Sequence, residues 1–147
     1  MSEESSISGA IVAWAVHENH SHALDEFNAS AIAKLPKEQE RPEVTPAMFT
    51  VPRVGDPGIP RYRLQVIHFG ASYNGLAWDW PTFLDKFESL LKTMAWTKAH
   101  LLLDADLLGD FQYQWQAKQP YDPNRLAGVS QWEFKGGPRT FEPYLKK

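Results

Sequence analysis

The chain has 147 residues, is 43% hydrophobic and carries six Trp, eight Phe and five Tyr, which excludes wholesale disorder and suffices for one core without a disulfide or metal staple. Its net charge of −3 shows no basic stripe of the kind nucleic acid requires, and no run of about 20 apolar residues is present to cross a bilayer. Cysteine is absent, and Glu3 and Glu4 stand where an export signal carries bases, so a single domain over 1–147 in the reducing cytoplasm is expected.

Residues 1–35 read as an N-terminal helical segment. Ile7–Val16 fits either a strand or a short buried helix, and helix is preferred. Ser21 is placed as an N-cap, with Leu24, Phe27, Ala31 and Leu35 forming one apolar stripe. Asp25 and Glu26 then fall in the first turn and Lys34 in the last, complementing the helix dipole. From 36 to 60 six prolines recur, each fixing φ and removing a donor, so this stretch reads as an extended connection anchored by Met48 and Phe49.

Residues 61–134 hold the sheet and the main helix. Arg61–Phe69 is predicted as a strand in which Tyr62, Leu64 and Val66 share the apolar face. Gly70–Ala77 follows as a loop. Asp79 and Pro81 open a helix whose Trp80, Phe83, Leu84, Phe87, Leu90, Leu91 and Met94 recur at steps of three and four. Lys98–Asp106, with Leu101, Leu102 and Leu103 at its centre, is predicted as a strand covered on both faces. Gly109-Asp110 supplies the turn into a strand with Phe111, Tyr113 and Trp115 buried and Gln112, Gln114 and Gln116 in water. Ser130–Phe134 is expected as a further strand, and 135–147 as a tail pinned by Phe141 and Tyr144. The resulting fold class is α+β: two layers, with a three- or four-stranded, largely antiparallel sheet against two or three helices. The step from Phe69 to Lys98 also admits a parallel crossover.

Candidate chemistry is sparse. His17, His20 and His22 are residue types that ligate zinc or nickel, but on a helix His22 lies off the face that His17 and His20 share. They read as polar residues at a helix terminus; the alternative is a metal-dependent enzyme using all three, with His68 or His100 completing the set. His68 precedes Ser72, Tyr73 and Asn74, yet no G-x-S-x-G elbow accompanies a Ser–His pair. Asp104 and Asp106 alternate onto one strand face beside Asp110 and read as solubilising charges at a hairpin tip. Phosphate-binding glycine motifs are missing, and no cofactor is implied. Trp78, in a loop, is the expected exposed aromatic. Residues 1–60 carry nine acids and four bases, against nine and eleven in 61–147. An acidic first part, many aromatics and no complete catalytic set suit a protein that binds another protein rather than an enzyme.

Three segments, YRLQVIHFGASY (Tyr62–Tyr73), WPTFLDKFESLLKTMAW (Trp80–Trp96) and GDFQYQW (Gly109–Trp115), resemble those of small bacterial immunity proteins, the inhibitors made beside polymorphic toxins. The likeness covers residues 61–115 and concerns scaffold positions. It implies a cytoplasmic, non-enzymatic inhibitor that blocks a cognate toxin protein. On that reading the acidic residues Glu18, Asp25 and Glu26, the amides Gln112 and Gln114, and Trp78 are expected at the contact.

Overall fold

In a computed structural model, residues 4–14, 21–52, 64–118 and 126–145 are described. The elements in chain order are strand β1 (Glu4–Trp14), helix α1 (Ser21–Ala33), strands β2 (Phe49–Thr50) and β3 (Leu64–Asn74), helix α2 (Trp80–Leu91), strands β4 (Lys98–Ala105), β5 (Gly109–Ala117) and β6 (Trp132–Gly136), and a short α3 (Glu142–Leu145). The α+β class is as expected, but the described sheet has six strands, in the order β2-β3-β1-β4-β5-β6, all neighbours antiparallel.

Two strands are added, and one is longer than expected. Glu4–Trp14 is the central strand rather than a helix. Ile7, Ile11 and Ala13 face the core, while Ala10 and Val12 on the other face are also buried, so the run is apolar on both sides. Gly9 favours the strand too: a Cβ there would meet the His100 carbonyl oxygen at 2.1 Å and the Phe69 ring at 2.7 Å. Gly70–Asn74, expected as a loop, extends β3, because β1 is long enough to pair with it as far as Glu4↔Asn74. Phe49 and Thr50, inside the proline-rich connection, pair with Phe69 and His68 as β2. Since β1 lies between β3 and β4 and opposes both, β3 and β4 run parallel, joined by α2 in a crossover that skips one strand.

α2 matches its predicted stripe residue for residue. Trp80, Phe83, Leu84, Phe87, Leu90 and Leu91 are buried, and Met94 just beyond is buried too. Rings carry the helix–sheet contact: Phe87 packs 5.2 Å from Phe69 and 5.0 Å from Trp115, and Trp80 packs 5.1 Å from Tyr113. Phe141 is fully buried and pins the tail, its ring 6.3 Å from Trp80 and 4.9 Å from Phe111. Tyr144 is 54% exposed, with its ring 6.2 Å from that of Phe141. The hairpin between β4 and β5 turns at Asp106–Leu108, one step before the predicted Gly109-Asp110, with Leu107 at φ 73°.

One polar network accounts for two further departures. Asn28, fully buried, donates to Gln65 Oε1 (2.8 Å) and to the Ala95 carbonyl (2.9 Å) and accepts from the Ala95 amide (2.9 Å); Gln65 Nε2 donates to Asp25 Oδ1 (2.7 Å). These groups can be buried because each is paired. They turn α1 so that Leu24, Asp25, Asn28 and Ile32 face inward, leaving Phe27, Ala31 and Leu35 half-buried. They also reverse β3: Gln65, Ile67 and Phe69 face the core, and Leu64 is 54% exposed. α1 starts at Ser21, so neither an acid in its first turn nor a base in its last matches the helix dipole.

Candidate protein-binding face

The described helices all pack on one side of the sheet, through Asn28, the α2 stripe and Phe141, and none packs on the other. The strand registers set out that second face row by row. Thr50, His68, Ala10, His100, Gln114 and Lys135 run in register across all six strands. Next to this row lie Val66, Val12, Lys98, Gln116 and Glu133 on one side, and Gly70, Ser8, Leu102 and Gln112 on the other. Ala10, in register between His68 and His100, is 3% exposed, and Val12 on the same face is 8% exposed.

The face is graded along the strands. At one end are Trp14 (55% exposed) and Leu64, beside half-buried Val66. At the other are Glu4, Ser6, Ser72, Asn74, Asp104 and Asp110, followed by Asp106 in the turn. Leu102, expected to be covered on both sides of its strand, is 39% exposed on this face, because β4 alternates strictly between buried and exposed positions. Asp104 lies directly across from Asp110, and that second negative charge, with Asp106 adding, holds the Asp104 carboxyl above the usual carboxylate range. A cavity of about 660 Å³ opens at this acidic end, lined by Glu4, Ser5, Ser6, Ser72, Tyr73, Asn74, Asp104 and Asp106.

The residues singled out from sequence are dispersed. Gln112 and Gln114 are exposed on this face. Glu26 is exposed on α1, and Trp78 is 63% exposed in the 3₁₀ turn that follows β3. Asp25 is buried rather than presented to a partner, because the Gln65 amide takes up its carboxylate. Glu18, His17 and His20 lie outside the described residues; His22 is exposed near the start of α1. Among the described residues no group of three or more His, Asp or Glu is placed to hold a metal ion. His68 and Ser72 share a face but stand four residues apart on an extended strand, about 13 Å, too far for a base and its nucleophile. Tyr73 points the other way and donates to the Glu43 carbonyl at 2.6 Å. Burial, with the Glu43 carboxylate adding, pushes its phenol far above the usual range.

Sequence reasoning missed the exposed Leu64 and Leu102 and the two histidines that flank Ala10. The signal was present in Ser6, Ile7 and Ser8, whose alternation marks a strand with one wet face. Among the described residues no helix is long and apolar enough to cross a membrane. Comparison with protein-family models, with curated proteins and with solved structures finds no match.

Proposed function

We propose that this chain works by binding another protein, as an immunity protein that neutralises a cognate toxin, and that the open sheet face is its contact surface. One observation carries the reading: a broad sheet face bearing exposed Leu64 and Leu102 among histidines and amides, on which no described helix packs. Eleven residues of β1 or β3 span about 36 Å, and the four strands β3, β1, β4 and β5 about 19 Å, or on the order of 700 Å². A standard protein interface takes about 800 Å² from each partner, so the face is of the right size. Its composition suits that use, with apolar side chains to desolvate and polar groups around them. The likeness of residues 61–115 to immunity proteins supplies the partner class.

The test uses the product of the gene beside this one. Co-expression is expected to abolish that product's toxicity, and Leu102→Asp should weaken binding about tenfold or more, about 1.4 kcal/mol, while circular dichroism stays unchanged. A toxic neighbour against which the chain gives no protection would overturn the reading. Full protection by the Leu64→Asp/Leu102→Asp double variant would move the contact to another surface.

A further inference from the structure

We infer that the sheet face opposite the helices carries a zinc-class metal site, in which His68 of β3 and His100 of β4 hold one ion above Ala10 of β1. Both ligands belong to this chain, so the site does not depend on the toxin reading. It lies, however, in the middle row of the face proposed for contact. Three features lead to it.

The first is register. Ala10 pairs with His68 on one side and with His100 on the other, so the three residues form a row across the strands. Their chain neighbours Ile67, Phe69, Ala99 and Leu101 are buried in the core, which turns both imidazoles to the opposite face, where both are exposed. Neighbouring strands lie about 4.8 Å apart, which sets the two histidine Cα atoms about 10 Å from each other. An ion midway is then about 5 Å from each along the sheet, and a Zn–N bond covers about 2 Å of that. An imidazole leaning inward from each side spans the remainder with no movement of the backbone.

The second is the residue between them. Position 10 carries only a methyl group, so no long side chain stands on the line that joins the rings. β1 is paired with β3 and with β4 on both sides of this row, which fixes the spacing of the two ligands. Ligands mounted on strands are held more exactly than ligands on loops.

The third is ligand type and availability. Among the described residues neither imidazole is taken up by a hydrogen bond or an ion pair. Imidazole nitrogen suits zinc, copper and nickel, whereas magnesium and calcium take oxygen. The rest of the row supplies Thr50, Gln114 and Lys135 and no carboxylate. The chain therefore fills two of zinc's four positions and leaves two for water, or for a side chain that a partner presents. Such a half-filled set binds more weakly than a closed structural site.

The test is calorimetric titration of the untagged full chain with Zn²⁺, with Mg²⁺ in parallel, and NMR of the imidazole nitrogens. Zn²⁺ is expected to bind and to shift the rings of His68 and His100 together, and Mg²⁺ to do neither. His68→Gln and His100→Gln should each weaken Zn²⁺ about tenfold or more, since either leaves a single ligand. Both positions are exposed, so an unchanged urea midpoint without metal reports an intact fold. His17→Asn/His20→Asn/His22→Asn, which removes the other histidines, should leave the His68 and His100 shifts in place. No Zn²⁺ binding, binding that withstands either single substitution, or loss of those shifts in the triple variant would each overturn the inference. All readouts use the free chain, so they stand or fall apart from neutralisation of a toxin.

Discussion

Asn28 holds α1 against two other elements through a single side chain. Its amide joins Gln65 of β3 to both backbone groups of Ala95, in the link between α2 and β4. Asn28→Ala strips partners from several buried groups at once, each costing about 1–3 kcal/mol, so a loss of about 2–4 kcal/mol is expected in urea unfolding. Asn28→Asp retains the acceptor for the Ala95 amide and should lose less at low pH than at neutral pH. At the acidic end the sign is reversed. Asp104 is held in the folded chain above its unfolded pKa, so the native state binds more protons there and stability falls as pH rises through that window. Asp104→Asn should therefore raise Tm at pH 7 and leave it unchanged near pH 3. An equal effect at both pH values would mean that repulsion by Asp110 is not the cause.

The strands divide residues of one chemical type between two environments. On β4, Leu101 and Leu103 are buried against the helices and Leu102 lies on the open face. Leu101→Ala is expected to cost about 2–5 kcal/mol through lost burial and the cavity left behind. Leu102→Ala should cost under about 1 kcal/mol, since a side chain with much of its surface in water has little transfer energy to lose. Chemical denaturation of the pair checks this; equal losses would mean that the second face is covered. α2 shows the opposite case, in which nearly all its large apolar residues fall on one buried stripe. Its periodicity was legible because the stripe holds no polar exception. The stripe of α1 and the inward face of β3 were not, because Asp25, Asn28 and Gln65 are buried polar residues that satisfy one another across 37 to 40 positions of chain. A pattern read from hydrophobicity alone assigns such residues to water.

At the scale of the molecule, the first strand closes the architecture. β1 pairs Ser5 with both Tyr73 and Ala105, binding the two ends of the β3–α2–β4 crossover into one sheet. This placement turns an acidic N-terminal segment and two hairpin-tip aspartates, remote in sequence, into one end of one face. The amide row of β5 was evident from strict alternation, and the buried tail residue Phe141 from its size in a polar context. The two histidines and the acid-lined cavity were out of reach, since neither exists until β1 separates β3 from β4. Composition and local periodicity alone determined the α+β class, the α2 stripe, the aromatic side of β5 and the wet side of its glutamines, because each follows from the spacing of residues a few positions apart. Only the tertiary structure decided that Glu4–Trp14 is a central strand, that Asp25 is buried, and that the described helices all pack on one face of the sheet. Those outcomes depend on which strand lies beside which and on polar groups pairing over long separations, and no local window contains either.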